Sequence, residues 1–281
     1  MAGANVKAIK TRIRSMSSTR QITKAMEMVA SSKLHGAQQR ALAARPYFET
    51  LFGVMNDLSA RRADAPSVFT TDRGDGRVCC IVIAGDRGLA GGYNGNVLKM
   101  AYAAMAGKDA SVVPIGRKTA EFFRSRGITA LTEQYQEASE VKVGDCFTVA
   151  RLLCEKYRSG SFDRLYLAYT NFVSVLEQTP CLLPLLPLTR DRGAKEPKSS
   201  VLYEPDCETV YDTIVPEYLG GVLYGALCES VASEQAARRT AMDSATKNAD
   251  EMISKLSLQF HRARQSAITQ EITEIVAGAE G

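Results

Sequence analysis

Few stretches of this 281-residue chain bring together residue types that do chemistry. The best candidate is the turn Gly85-Asp86-Arg87-Gly88-Leu89-Ala90-Gly91-Gly92-Tyr93-Asn94-Gly95, which follows an apolar run and precedes a helical pattern. Backbone N–H groups at such a strand-to-helix turn can cradle a phosphate. The spacing fits neither G-x-G-x-x-G nor G-x-x-x-x-G-K-[ST], and no acidic residue closes the next strand at Ile115-Gly116 to hold a ribose. It therefore reads as a tight structural turn ahead of a nucleotide site. Nucleophilic chemistry has less support. There is no G-x-S-x-G, and neither His35 nor His261 lies in a triad context. Glu133, Glu137 and Glu140 read as a solvated face, not as an acid/base pair. Seven cysteines without a C-x-x-C pair, only Cys79 and Cys80 being adjacent, suggest neither a disulfide framework nor a zinc site and fit a reducing compartment. Nothing in the residues themselves points to an enzyme, a cofactor or a metal.

The elements that would have to position any such groups are unusual at both ends. Residues 226–277 run without Gly or Pro. As one helix they would span roughly 78 Å at about 1.5 Å per residue. No globular core buries a rod of that length, so it must pack on another rod or lie inside a partner. Ala237, Ala241, Ala245, Ala249, Met252, Leu256, Phe260, Ala263 and Ala267 form a narrow, mostly small stripe along it. Their mean spacing of about 3.75 residues departs from a strict heptad and leaves the hand of any supercoil open.

The natural partner is the other long helical pattern, residues 4–45. There Val6, Ile9, Ile13, Met16, Thr23, Met26, Ala30 and Ala37 recur on one face. Gly36 weakens that pattern, Pro46 marks a kink or break, and residues 47–58 can extend the helix beyond it. If the two terminal helices pair, they run antiparallel, because both meet the middle of the chain at their inner ends.

The middle has a different period. Residues 78–84, 111–115, 164–176 and 181–188 read as strands, the last two as antiparallel neighbours, while 95–105, 118–125 and 145–157 read as helices. This alternation predicts an α/β domain with a largely parallel sheet. Polar Pro- and Gly-containing segments at 61–77 and 189–205 read as a linker and a loop, with helix resuming near Thr209.

Charge is distributed unevenly. The net +4 conceals nine Lys/Arg against Glu27 alone in residues 1–45, a net of +8, and so −4 in the remainder. A basic helix calls for an acidic partner. A basic coiled-coil nucleic-acid-binding or scaffold protein is one such reading, although the chain lacks Trp and has no basic run interleaved with aromatics. No apolar run approaches the ~20 residues of a membrane span.

Four motifs then occur in order along the chain: Ile22-Thr-Lys-Ala-Met-Glu-Met-Val-Ala30, Asp86-Arg-Gly-Leu-Ala-Gly-Gly-Tyr-Asn94, Ser233-Glu-Gln-Ala-Ala-Arg-Arg-Thr-Ala-Met242 and Ala263-Arg-Gln-Ser-Ala-Ile-Thr-Gln-Glu-Ile-Thr-Glu-Ile-Val276. Together they resemble the gamma subunit of F-type ATP synthases. The resemblance implies a Rossmann-like three-layer domain (77–206) inserted between terminal helices (1–60 and 207–281) that form a long antiparallel coiled coil. It implies a central rotor shaft without bond chemistry or cofactor of its own, coupling rotation of the membrane c-ring to the catalytic beta subunits. Its partners would be the alpha and beta hexamer, the epsilon subunit and the c-ring, with delta at most indirect and no nucleic acid. Carried over by motif, the beta-contacting and torque-transmitting positions are Lys24, Met26, Arg238, Arg264, Gln265, Thr269 and Glu271. The apolar segment 272–277 would sit in a collar at the top of the hexamer. Ala90 and Tyr93 replace the Cys and Leu of many relatives, and the redox-active Cys pair of photosynthetic relatives is absent, so thiol regulation is not expected. A family motif that begins almost at Met1 favours a bacterial protein, held to the cytoplasmic face of the membrane only through its complex.

Overall fold

The computed structural model describes residues 2–60, 67–135, 137–138, 141–188, 204 and 206–279. Residues 61–66 of the expected linker, and all of the expected loop but Glu204, lie outside the described residues. Ten elements follow in order: α1 (Ala2–Ala60), β1 (Arg77–Ile83), α2 (Tyr93–Met105), β2 (Asp109–Ile115), α3 (Arg117–Arg124), β3 (Thr129–Ala130), α4 (Val143–Arg158), β4 (Arg164–Phe172), β5 (Gln178–Leu186) and α5 (Cys207–Ala279). They fall into two compact units, Ser32–Ala237 and Met1–Ser31 with Arg238–Gly281.

In the larger unit the sheet order is β3-β2-β1-β4-β5, with every pair parallel except β4 and β5. Strand β1 is buried from Val78 onward, as expected of a central parallel strand covered on both faces. Its residues alternate between two cores. Cys79, Ile81 and Ile83 face α4 (Val149, Leu153, Tyr157) and α5 (Tyr211, Val215, Leu219, Leu223, Leu227). Val78, Cys80 and Val82 face α2 (Val97, Leu98, Ala101) and Phe123 of α3. The mixed sheet thus has helices on both sides. Close packing of α5 on α4 depends on Gly220, where an added Cβ would lie 2.5 Å from the Phe147 ring.

Strand β5 forms one edge of the sheet and pairs with β4 in antiparallel register, Thr170 opposite Pro180 and Tyr166 opposite Pro184. Thr170 turns its own N–H and C=O toward α5. Pro180 and Pro184 therefore place their missing N–H on the open side, where a further strand would need a donor.

Two helix boundaries fall within the range the sequence allowed, each for a local reason. Helix α1 passes through Pro46 without ending, and the Thr50 hydroxyl donates to the Pro46 carbonyl at 2.9 Å. Helix α5 starts at Cys207, before its glycines, because Asp206 caps it: the Thr209 N–H and hydroxyl both donate to its carboxylate, at 2.8 and 2.9 Å. Those bonds, the backbone N–H first, hold the Asp206 pKa below the usual carboxylate range.

In the smaller unit the two long helices lie side by side. The Thr23 and Thr246 hydroxyls meet at 2.7 Å, and Arg20 pairs with Asp250 at 2.6 Å. Numbering falls on α1 as it rises on α5 between these two contacts, so the pair is antiparallel. Within the larger unit the same helices meet again through Leu34, Ala37, Ala232 and Ala236.

The face α5 presents to this pairing matches the expected stripe at Ala249, Leu256, Phe260, Ala263 and Ala267 and departs from it elsewhere. Met252 is 48% exposed, while Met242, Thr246 and Ala249 are buried. Ile253, Leu256, Phe260, Ala263 and Ala267 continue that buried side at half-burial. The positions 242, 246, 249, 253, 256, 260, 263 and 267 alternate steps of four and three, which is heptad spacing. On α1 the expected positions stand, and buried Leu34 joins them.

Candidate partner-binding surfaces

A doubly wound sheet offers its ligand crevice beyond the carboxyl ends of the strands, where the direction of winding switches. Here that point lies between β1 and β4, next to the Gly-rich turn. The turn is held by its own side chains. Asn94 Oδ1 accepts the Gly85 N–H at 2.8 Å, and the Asn94 amide donates to the Arg87 carbonyl at 3.0 Å. Asp86 Oδ1 accepts the N–H groups of Arg117 and Ala138 at 3.1 and 2.8 Å. Helix α5 fills the crevice itself. Ser230 and Ser233 bond the Thr170 backbone, and a Cβ on Gly85 would come within 2.9 Å of the Glu234 carboxylate. The bonds of Asn94 and Asp86 fix the shape of the turn.

The other groups singled out in the sequence are mostly paired or buried among the described residues. Glu133 pairs with Arg124 at 3.3 Å and Glu137 with Arg117, while Glu140 lies outside the described residues. Burial pushes the Cys79, Cys146 and Cys154 thiols up to about 12, so they are not thiolate nucleophiles near neutrality. His35 hydrogen-bonds its helix neighbour Gln39, and His261 stacks edge-on with Phe260. Among the described residues no group of three or more His, Cys, Asp or Glu could hold a metal ion, and no helix is long and apolar enough to cross a membrane.

What remains is helix surface. Lys24 stands 55% exposed on α1 and bonds Glu27 at 3.0 Å. Asp243, which faces it, pairs with Lys247 at 2.7 Å, and Lys247 together with Lys24 and Arg239 lowers its pKa. Met26 and Arg238 are half-buried in the helix pairing. Arg264, Gln265, Thr269 and Glu271 are all exposed near the end of α5, in the smaller unit like Lys24, Met26 and Arg238. The Thr269 hydroxyl donates to the Gln265 carbonyl at 2.9 Å and is thereby satisfied within the helix.

The apolar residues of the same segment are exposed too: Ile268 45%, Ile272 57%, Ile275 71% and Val276 52%. Scattered apolar side chains are ordinary on a protein surface, but these four recur at steps of four, three and one and so form one continuous exposed apolar face at the helix end. This unit also concentrates positive charge, with twelve Lys/Arg against seven Asp/Glu, leaving −1 for the larger unit.

Sequence reasoning did not single out Ser230, Ser233 and Glu234 at the sheet end, nor Thr246 and Ile253 in the helix pair. Ser233 and Glu234 lie inside a quoted motif, but nothing local assigns them a role, since their partners are more than sixty residues away.

Comparison with known proteins places these surfaces in context. The ATP synthase family model matches residues 5–281. The chain is 48% identical over 277 residues to the ATP synthase gamma chain of Ruminococcus albus, covering 97% of this chain and 96% of that one. Identity to the gamma chain of Heliobacterium modesticaldum is 43% over 280 residues, with 96% and 97% covered. Identity to the sodium ion specific gamma chain of Acetobacterium woodii is 39% over 296 residues, with 98% of each covered. Among solved structures, a chain of the Euglena gracilis mitochondrial ATP synthase rotor superposes with a TM-score of 0.67 at 18% identity, covering 95% of this chain and 99% of that one. A chain from the same organism's OSCP/F1/c-ring assembly superposes with a TM-score of 0.71 at 17% identity, covering 99% and 94%. At such identities the likeness is one of fold. The nucleic-acid or scaffold reading finds no support in these matches.

Proposed function

The chain belongs to the ATP synthase family, among its gamma chains, and from that premise we propose that it is the central rotor shaft of an F-type ATP synthase. Rotation of a membrane c-ring, driven by ion flow, turns the chain, and its asymmetric surface changes the catalytic sites on the beta subunits in sequence. ATP hydrolysis runs the same coupling backward. The chain makes and breaks no bonds; nucleotide and magnesium chemistry belong to beta. It divides functionally into helices 1–60 and 207–281, paired as an antiparallel coiled coil, and a Rossmann-like three-layer domain, 77–206, that meets the epsilon subunit and the c-ring. Heptad spacing on the buried side of α5 supports the coiled coil. The complex carries the chain on the cytoplasmic side of a bacterial membrane as a peripheral protein.

One observation carries this reading: the bare end of α5, with Ile268, Ile272, Ile275 and Val276 exposed between Arg264, Gln265, Thr269 and Glu271. An exposed apolar face at the end of a long helix fits against the wall of an apolar sleeve, such as the axis of an alpha–beta hexamer. A shaft shifts the balance among beta conformations only through contacts that differ between them. Lys24, Met26 and Arg238 lower on the pair, with Arg264, Gln265, Thr269 and Glu271 nearer its end, supply such contacts, and the net +5 of this unit suits acidic loops on beta.

The test is reconstitution with alpha and beta subunits. The isolated chain shows no ATP turnover, and the complex hydrolyses ATP. Arg238→Ala with Arg264→Ala lowers ATP-driven ion pumping about tenfold, the loss of roughly 1.4 kcal/mol of differential contact, while the helical circular dichroism of the chain is unchanged. Turnover by the pure chain, or equal losses of pumping and helicity, overturns the proposal.

A further inference from the structure

Strand β4 outruns its neighbour. Pairing of β1 with β4 ends at Val82 opposite Ala168, whereas β4 continues to Phe172. The N–H and C=O of Thr170 thus emerge beyond the end of β1 into a dry region, where an unpaired backbone group is costly. Helix α5 covers them. Ser230 Oγ accepts the Thr170 N–H at 3.2 Å, and the Ser233 hydroxyl donates to the Thr170 carbonyl at 3.1 Å. Thr170 is 3% exposed and both serines 0%. The three-residue spacing places the two hydroxyls on one helix face. Together they supply the acceptor and donor that an adjacent strand would otherwise supply. One residue further, Glu234 lies against Gly85 on the turn that leaves β1.

We infer that the Ser230–Thr170–Ser233 clamp, seated at the end of the sheet, is the torque-bearing joint between the α/β domain and the shaft helix, an inference that rests on the rotor reading above. Elsewhere α5 is held to the sheet by apolar side chains, Tyr211, Val215, Leu219, Leu223 and Leu227. Burial of area is non-directional. It opposes lifting the helix off the sheet more than rolling or sliding it, because a small roll returns little surface to water. A hydrogen bond weakens steeply as its angle opens, so two bonds from one strand residue to adjacent turns of α5 resist rotation about the helix axis. The Thr170 hydroxyl is buried there without a hydrogen-bond partner. It provides a control, since the clamp uses only the backbone of that residue.

The experiment attaches a bead through Lys99→Cys, exposed on α2, to the chain assembled with an immobilised, nucleotide-locked alpha–beta hexamer, and reads the variance of the bead angle. Ser230→Ala with Ser233→Ala raises that variance about twofold or more, since the buried directional restraint is lost while the apolar contact and the solvent-screened Arg151–Glu217 and Arg158–Asp212 pairs to α4 remain. Thr170→Val leaves the variance unchanged and does not lower the melting temperature. An unchanged variance in the double serine variant, or an equal rise in Thr170→Val, overturns the joint. If the double variant fails to assemble, the single variants each keep one bond and give intermediate variances; unchanged ones overturn it equally. Failure of the parent chain to assemble would overturn the rotor reading instead. In that event, amide exchange at Thr170 in the isolated chain still reads the clamp: Ser230→Ala accelerates it at least tenfold if the bond holds, and an unchanged rate shows that it does not.

Discussion

Gly116 sits where β2 turns into α3, at φ +100° and ψ 142°. This is backbone that L residues rarely adopt, and forcing alanine into it costs of order 1–3 kcal/mol. A second, independent cost comes from space. A Cβ on Gly116 would lie 2.0 Å from the Ala84 carbonyl oxygen and 2.9 Å from its carbon. A tolerable carbon–oxygen contact is about 3.2 Å or more, so roughly an ångström of backbone must move. That backbone cannot move freely, because Ala84 N–H donates to the Ile115 carbonyl at 3.0 Å and Lys118 N–H to Gly85 at 3.2 Å. Overpacking that shifts backbone costs a further 1–3 kcal/mol or so, giving about 2–6 kcal/mol in all. Gly107 isolates the first part, since its φ is +75° and nothing lies within 4 Å of its added Cβ. Gly107→Ala should therefore cost about 1 kcal/mol. The assay is urea unfolding of the isolated chain followed through its tyrosines, with Gly116→Ala and Gly107→Ala measured beside the parent. Equal losses for the two variants would show that the contact with Ala84 carries no energy and refute the reasoning.

Two further outcomes follow from polar contacts. Thr23 and Thr246 each have one hydroxyl proton but three contacts to share: Arg20 carbonyl at 3.1 Å, Met242 carbonyl at 2.8 Å and each other at 2.7 Å. Replacing either alone with valine should cost about 1 kcal/mol and replacing both should cost little more, a coupling of about 0.5–1.5 kcal/mol in a double-mutant cycle; simple additivity would exclude the shared bond. Asp163 accepts from Arg77 Nε and Nη2 at 3.0 and 2.7 Å, and this bonding holds its pKa below the usual carboxylate range. A carboxylate depressed in the folded state contributes stability that is fully present above its unfolded pKa of about 3.9 and is lost as pH falls through the lower folded value. Melting temperatures from pH 7 to pH 2 should therefore converge for the parent and Asp163→Asn at the acid end, and a constant gap would count against the pair.

Much of the architecture was legible because local patterns had only one physical outlet. The β-branched run at 78–83 had to be a strand covered on both faces, and residues 226–277, free of helix breakers, had to be helix. The two-residue strand β3 was not legible, since Thr129–Ala130 is too short to show a period and exists only through its pairing with Ser111 and Val112. Nor could the sequence choose the inner face of α5. Alanines at 237, 241, 245 and 249 outline one stripe as readily as 242, 246, 249 and 253 outline another, and a small side chain gains little from either. The choice was made with α1, whose buried Thr23 meets Thr246, the exposed Arg20–Asp250 pair following from that register. The same holds for the Gly-rich turn. By itself Gly85–Gly95 specified a turn that could accept a phosphate. What packs beside it is Ser230, Ser233 and Glu234, carried to the end of β4 and β1 from about 145 residues further along the chain. The sequence by itself determined which segments are stiff rods and which are sheet, because period and propensity act over a few residues. Which faces meet, and which crevice is filled, was decided only by the tertiary structure, because burial and hydrogen-bond satisfaction are properties of pairs brought together by the fold.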